Sequence, residues 1–99
     1  MRRVRLRSNA KREFREAIGW YRDRNEQVAT RFAAEVRQVF EHLERFPFTG
    51  GVVPGLKDPD VRCLPVHGFP YEVVFIRLGE KISVLAIAHN RRRPGYWAE

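Results

Sequence analysis

The chain has 99 residues, of which 43% are hydrophobic and 12% aromatic, and its 19 lysines and arginines against 12 acidic residues give a formal net charge of +7. This length is enough for one hydrophobic core and too short for two, which predicts a single domain over residues 1–99. No apolar run approaches the roughly 18 residues that a membrane span needs, and no apolar stretch typical of a secretion signal follows the basic N-terminus. These features exclude a membrane protein and favour a cytoplasmic one.

The cysteine and histidine content argues against a metalloprotein. The single cysteine, Cys63, cannot form an internal disulfide, so the fold must depend on packing. The three histidines, His42, His67 and His89, are scattered and have no zinc-like spacing. We therefore predict neither a metal nor a cofactor. The excess of arginine favours an anionic partner, which can be a nucleic acid or an acidic protein segment.

The N-terminal half predicts a strand and two helices. Apolar residues alternate with arginines over residues 3–7, which is typical of a short edge strand. Ser8 or Asn9 is a suitable N-cap for a first helix that continues to about Arg24, and Asn25 can cap the next helix. In the second helix, apolar residues recur at steps of three and four: Val28, Phe32, Val36, Val39, Phe40, Leu43 and Phe46. The short connection predicts an antiparallel helical hairpin.

The C-terminal half predicts a loop and a three-stranded meander. Pro47 ends the second helix, and the glycines, prolines and aspartates of residues 49–60 predict an irregular loop. Three strand-like runs follow, over residues 61–66, 71–78 and 82–89. Pro65 predicts an edge position or a bulge in the first run. The second run is almost continuously apolar, as in a central strand covered on both faces, and Gly79-Glu80 fits a two-residue hairpin turn.

The order of these elements predicts the fold class. Strand, helix, helix and three strands indicate an α+β domain, in which the helical hairpin covers one face of a small, mainly antiparallel sheet. The other face is left for a ligand, the C-terminal tail or a partner. Alternation along the last strand predicts two faces: Leu85, Ile87 and His89 on one, and Val84, Ala86 and Ala88 on the other.

A basic and aromatic segment follows the last strand. It consists of His89, Asn90, Arg91, Arg92, Arg93, Pro94, Gly95, Tyr96 and Trp97. Guanidinium groups suit phosphate and carboxylate, and neighbouring tyrosine and tryptophan rings can stack on bases or anchor a protein partner. We predict that these arginines directly follow a rigid strand, lie at the rim of the second sheet face and bind an anionic group. A solvated tail is the alternative.

Several short patterns occur in a fixed order along the chain. They are the N-terminal strand running into Ala10, Trp20-Tyr21, Ala29-Thr30-Arg31-Phe32, Phe46-Pro47 with Gly50, Arg62-x-Leu64, Tyr71-x-Val73-x-Phe75 and Ala88-His89-x-Arg91-Arg92. Because these patterns occur in this order and within this length, the chain resembles the RelE/ParE superfamily of toxins from type II toxin-antitoxin systems. The resemblance covers essentially the whole chain.

The resemblance implies a small cytoplasmic toxin, held inactive by a cognate acidic antitoxin in a hetero-oligomer, as in plasmid stabilization systems. The free toxin arrests growth. RelE-like members cleave mRNA on the translating ribosome, whereas ParE-like members inhibit DNA gyrase. A RelE-like nuclease usually has several lysines in the loop after the second helix, and this chain has only Lys57. We therefore favour the ParE-like branch.

The resemblance also implies site residues. In a nuclease, Arg62, Arg91 and Arg93 would clamp the phosphate, and His89 or Tyr96 would act as base or acid. Partner binding would involve Arg62, Arg91, Arg92, Arg93, Tyr96 and Trp97. Trp97 fits the position of the RelE-type tyrosine as well as Tyr96 does. The structural alternative for His89 is a strand-end histidine bonded to the backbone.

Three hypotheses for function follow. The first is a ParE-like gyrase inhibitor, the second a ribosome-dependent mRNA endoribonuclease, and the third a non-toxic basic module that binds protein or nucleic acid. Glu72 is expected to pair with an arginine, and Cys63 to be a small buried hydrophobic residue.

Overall fold

Two helices cross one face of a five-stranded sheet in the computed structural model, which describes residues 3–53, 55–56, 58–91 and 96–98. The elements in chain order are β1 (Val4–Leu6), α1 (Ser8–Arg22), α2 (Glu26–Arg45), β2 (Gly51–Val52), β3 (Val61–Pro65), β4 (Tyr71–Leu78), β5 (Lys81–His89) and a short 3-10 helix (Tyr96–Ala98). The strand order is β1-β5-β4-β3-β2, with β1 parallel to β5 and the other pairs antiparallel. The predicted α+β class and order of elements are confirmed.

Asn25 caps α2, as predicted. Its side-chain oxygen accepts hydrogen bonds from the backbone N–H groups of Gln27 (2.9 Å) and Val28 (3.2 Å), which satisfies donors that have no partner within the helix. At the other end, Phe46 was expected to complete the apolar stripe of α2, but it is 57% exposed. Its backbone has left the helical conformation (φ −130°, ψ 72°), so its side chain no longer faces the core.

The start of α1 differs from the prediction. Neither Ser8 nor Asn9 is the N-cap, because the helix begins directly after Arg7, whose side chain makes no capping hydrogen bond. The N–H of Arg7 donates to the carbonyl oxygen of Val84 (3.0 Å), as a residue of β1 would. Arg7 alone therefore connects the strand to the helix and occupies the N-cap position without a side-chain cap, and the side chain of Asn9 is available for another contact.

The main core lies between the helices and the sheet, and Phe32 of α2 is at its centre. Phe32 is fully buried. Four aromatic rings, those of Phe14, Tyr21, Phe69 and Tyr71, have centroids within 6.2 Å of its ring. Edge-to-face rings at such distances add to the free energy gained by burying their area. This cluster fixes α1 relative to the start of β4, where the candidate site lies.

The second face of the sheet is partly covered by other segments of the chain. A smaller buried cluster there consists of Val53, Val61, Val74, Ala86 and Ala88. Tyr96 and Trp97 pack against this cluster, with their two rings in a T-shaped contact at 5.4 Å. Of the three occupants that the sequence left open for this face, the C-terminal tail contacts it.

A β-bulge in β5 changes which of its side chains share a face. Val84 and Ala86 lie opposite consecutive residues of β4, which leaves Leu85 as the extra residue. Val84 consequently joins Ile87 in the helix-side core, while Leu85 lies with Ala86 on the second face. The prediction of strict alternation is therefore wrong at Val84 and Leu85, because a bulge shifts the side-chain pattern by one residue.

The short strand β2 lies where only an irregular loop was predicted. It pairs with residues 62–63 of β3. Gly50, just before it, has φ +100°, and a Cβ atom there would lie 2.9 Å from Cζ of Phe75. Glycine therefore allows the chain to cross close over the core. Two residues are too few to show a strand pattern in the sequence.

Pro65 lies at the end of β3, beyond the reach of β2. It pairs with Glu72 of β4 on one side, and the pairing with β2 stops at Cys63. At Pro65, therefore, no strand in the described part of the chain pairs with the side of β3 that faces away from β4. This agrees with the predicted edge position, since proline has no N–H to donate to a neighbouring strand.

Candidate functional site

Beyond the end of β1, side chains of α1 form hydrogen bonds with the backbone of β5 and take the place of a neighbouring strand. The pairing of β1 with β5 stops at Val84. Next, Nδ2 of Asn9 donates to the carbonyl oxygen of Leu85 (3.1 Å), and the N–H of Ile87 donates to Oε1 of Glu13 (3.0 Å). Asn9 and Glu13 are one helical turn apart on the same face of α1, and Nδ2 of Asn9 also donates a hydrogen bond to Oε1 of Glu13 (3.2 Å). One face of α1 therefore continues the hydrogen bonding of the sheet.

Glu13 also holds the C-terminal segment. The hydroxyl of Tyr96 donates to Oε2 of Glu13, so this half-buried carboxylate accepts hydrogen bonds from α1, from β5 and from the 3-10 helix. Hydrogen bonds to a charged acceptor are typically worth about 1.5–3 kcal/mol each. Glu13 is therefore the residue that joins these three segments.

A cleft of about 490 Å³ lies between α1 and the end of β5. Its lining includes Glu13, Glu16, Trp20, Tyr71, His89 and Tyr96. The aromatic rings give it apolar walls, and the two glutamates make one wall acidic. Such a lining suits a cationic or apolar group better than a phosphate.

His89 lies at the end of β5, with its imidazole fixed by two contacts. Its ring is 5.1 Å from that of Tyr71 in a T-shaped arrangement. Its Nδ1 atom accepts a hydrogen bond from the backbone N–H of Arg91 (3.1 Å). Because Nδ1 is the acceptor, a neutral ring carries its proton on Nε2. The backbone bond is the structural role that the sequence allowed for this histidine.

Two tyrosines beside the cleft are held in their protonated form. The pKa of Tyr71 is raised mainly by burial, and further by its electrostatic interactions with Tyr21 and Glu13. Burial also raises the pKa of Tyr21. Both phenols therefore stay neutral at physiological pH, since an unperturbed tyrosine already titrates near 10. Neither one provides a base to the cleft.

The structure describes part of the predicted basic and aromatic segment. Arg91 is exposed in the turn after β5, and Tyr96 and Trp97 are half-buried against the second face. Arg92 and Arg93 lie outside the described residues, so their roles stay predictions. Of the residues chosen from the sequence, His89 and Tyr96 line the same cleft, Arg91 is bonded to His89 through its backbone N–H, and Trp97 contacts Tyr96.

Arg62 lies elsewhere on the sheet. It is opposite Phe75, whereas His89 is opposite Tyr71, four residues away along β4. At about 3.3 Å per residue and about 4.8 Å per strand, the Cα atoms of Arg62 and His89 are roughly 16 Å apart. Since residues opposite each other share a face, Arg62 is on the helix side with Phe75. The structure therefore does not bring Arg62 together with the end of β5.

Cys63 and Glu72 contact each other on the second face. Burial raises the pKa of the Cys63 thiol to about 11, and the charge of Glu72 and its hydrogen bond with the thiol act in the same direction. The thiol is therefore protonated and unreactive at neutral pH. Glu72 was expected to pair with an arginine, but the one ion pair recorded among the described residues joins Arg12 and Glu16 (3.6 Å).

Glu13 was not among the residues chosen from the sequence, because the many charged residues around it on α1 are typical of a solvated helix face. One signal in the sequence marks it. Ala10 and Ala17 lie three residues before and four residues after it, on the same side of the helix, and both are buried. Small residues on either side of a carboxylate allow the helix to approach the sheet closely there.

The described part of the chain has neither a cluster of metal ligands nor a helix that could span a membrane. Within residues 3–53, 55–56, 58–91 and 96–98, no three histidines, cysteines, aspartates or glutamates are grouped to hold a metal ion. None of the helices in this described part combines the length and the apolar character needed to cross a membrane.

Comparison with known proteins finds a matching family and similar solved structures. A family model described as ParE toxin of type II toxin-antitoxin system, parDE, matches residues 4–94. The fold is similar to that of a solved structure described as the chromosomal ParDE TA system from P. aeruginosa, with a TM-score of 0.74 and 19% identity, over 90% of this chain and 96% of that chain. No curated protein matches the chain. At 19% identity the structural likeness establishes the fold, and the family model covers most of the sequence.

Proposed function

The chain belongs to the ParE toxin family of type II toxin-antitoxin systems, and from this premise we propose that a cognate antitoxin neutralises it and that the free toxin arrests growth by inhibiting DNA gyrase. The family match over residues 4–94 carries the proposal. The source of the similar structure, a ParDE system, supports a toxin-antitoxin hetero-oligomer as the resting form. Gyrase is a cytoplasmic target, so the proposal includes a cytoplasmic location.

The charge of the cleft supports a protein target over mRNA. A ribonuclease needs cationic groups around the phosphate, whose negative charge increases in the transition state. Here the carboxylates of Glu13 and Glu16 line the cleft that contains His89. Arg62, the arginine expected to complete a phosphate clamp, lies two strands and four residues away from His89 in the sheet. A toxin that acts by binding does not need these groups to converge.

We assign target binding to the end of β5. The residues are Arg91, Arg92, Arg93, Tyr96 and Trp97. Arginine, tyrosine and tryptophan side chains provide most of the binding energy at many protein interfaces. Arg91 is exposed, and the aromatic pair is anchored through the bond from Tyr96 to Glu13. The exposed arginine and the fixed aromatic pair support this assignment.

One observation favours the mRNA endoribonuclease as a second candidate. His89 and Tyr96 line the same cleft, and these residue types can serve as the base and the acid that cleavage at a 2′-hydroxyl needs. Arg91 and Arg93 would then clamp the phosphate, with Arg62 too distant to help. In such a mechanism the hydroxyl of Tyr96 must first leave Glu13.

Expression from a tightly repressed promoter tests the proposed function. We expect induction to arrest growth, and co-expression of the antitoxin gene encoded beside this one to restore it, because binding of the antitoxin neutralises the toxin. Colony counts with and without the second gene measure both effects. Unimpaired growth at a confirmed level of folded protein would instead support the third hypothesis, a non-toxic binding module.

A further inference from the structure

Large apolar side chains are exposed where α2 ends. Phe46 is 57% exposed, Phe48 76% and Val52 67%, and they are three of the five large hydrophobic residues exposed in the described part of the chain. Phe46 and Phe48 lie on either side of Pro47, which is buried, and both line one shallow cavity beside it. Single exposed hydrophobic residues are common, but a cluster of them is typical of a binding surface.

Two arginines connect these apolar side chains into one surface. The guanidinium carbon of Arg77 lies 5.6 Å from the centre of the Phe48 ring. Val52 is opposite Arg62 in the sheet, and Arg62 is opposite Phe75. Because opposite residues share a face, and Arg77 is two residues after Phe75, all of them project toward the helix side.

The donors of these arginines are incompletely used within the chain. Nη1 of Arg62 is buried and has no hydrogen-bond acceptor among the described residues. Nη1 of Arg77 donates to the backbone carbonyl of Thr49 at 3.4 Å, which is a long hydrogen bond. A buried donor without an acceptor is unfavourable, so the Arg62 side chain gains by turning toward a carboxylate, the strongest acceptor that a partner can offer to a guanidinium.

We propose that this surface, the α2 corner, docks an acidic segment of the cognate antitoxin; the corner comprises Phe46, Phe48, Val52, Arg62 and Arg77. The segment places apolar side chains against the two phenylalanines and carboxylates beside the two arginines. The identity of the partner rests on the proposed function. The α2 corner lies near the β2 edge of the sheet, and β5 lies near the opposite edge. An antitoxin bound at the corner is therefore distant from the end of β5, where we place target binding.

Charge and surface character disfavour other occupants of the α2 corner. A second copy of this chain carries the same net charge of +7 and would bring the same arginines together. A DNA duplex would satisfy the arginines but would leave the phenylalanines exposed, since its bases are already stacked inside the helix and are not free to stack on these rings. An acidic, amphipathic protein segment satisfies both.

The dissociation rate of the antitoxin from the purified complex tests the proposal. We expect the double substitution Phe46→Ser with Phe48→Ser to raise this rate at least about tenfold, the effect of losing a residue that dominates an interface. We expect Arg62→Gln with Arg77→Gln to raise it as well and to reduce its dependence on salt. The matched control is Leu78→Ser, which removes an equally exposed apolar side chain outside the corner and should change the rate less than twofold.

The outcomes separate this proposal from the proposed function. Equal rates for the phenylalanine variant and the Leu78→Ser control would overturn the docking site while leaving the antitoxin as partner. Failure of the unaltered chain to form any complex with the antitoxin would overturn the partner itself, and the site with it. Binding of a short DNA duplex that is lost in the phenylalanine variant would show that the corner serves nucleic acid. Thermal unfolding of each variant checks that the fold is intact.

Discussion

Replacing Arg91 and Arg93 with alanine is expected to abolish growth arrest. Both belong to the segment that we assign to target binding, and an arginine that dominates an interface is typically worth about 2 kcal/mol or more. Losing two such residues should raise the toxin level needed for growth arrest by at least about 100-fold, since each 1.4 kcal/mol is a factor of ten. The measurement is survival as a function of inducer, with the protein quantified by immunoblot.

A matched control distinguishes loss of the site from loss of charge. Arg15 and Arg22 are exposed on α1, and replacing both with alanine removes the same charge from the molecule. We expect this control to be as toxic as the unaltered chain. Arg91 is exposed, so the site variant should unfold at the same temperature as the control. Full toxicity of the variant lacking Arg91 and Arg93 would refute the assignment of the end of β5.

Replacing Glu13 with alanine is expected to destabilise the protein by about 2–3 kcal/mol. The substitution leaves the N–H of Ile87 without an acceptor at the edge of the sheet, and a buried unsatisfied donor costs about 1–3 kcal/mol. It also removes the charged acceptor of the Tyr96 hydroxyl. A small domain has only about 5–15 kcal/mol of stability, so this loss is large. Urea unfolding measures the free energy of unfolding, and a lower midpoint concentration of urea for the variant reports the lost stability.

Two further variants test the reason for that loss. Glu13→Gln keeps a side-chain oxygen for Ile87 and should cost less than half as much. Glu16→Ala removes the neighbouring carboxylate of the same cleft, which makes an exposed ion pair with Arg12, and it should cost no more than about 0.5 kcal/mol. If Glu16→Ala were as costly as Glu13→Ala, the loss would come from the charge of the cleft and not from the hydrogen bonds to β5.

The sequence predicts the layers of this fold because most of its elements carry a strong periodic pattern. The apolar stripe of α2, its Asn25 cap and the continuous apolar run of β4 each correspond to an element of the structure. What periodicity cannot show is a shift in register. The bulge at Leu85 moves Val84 to the other face from the one predicted, and it depends on pairing between strands, not on the residues of β5 alone.

The candidate site is only partly visible in the sequence for a similar reason. The segment after β5 is conspicuous because basic and aromatic residues are contiguous there. Glu13 is 83 residues from Tyr96 along the chain, and their contact depends on how α1 lies against β5. Arg62 and His89 project from the same face of the sheet, but they are two strands and four residues apart, a separation that sequence order does not specify.

The supercoiling activity of purified DNA gyrase, measured with increasing amounts of the purified chain, tests most directly whether this protein acts on gyrase. We predict that supercoiling of a relaxed plasmid stops once the chain is in excess over gyrase, and that adding the antitoxin restores it. Undiminished supercoiling, together with codon-phased cuts in translated mRNA, would contradict the account and identify the chain as a ribosome-dependent endoribonuclease.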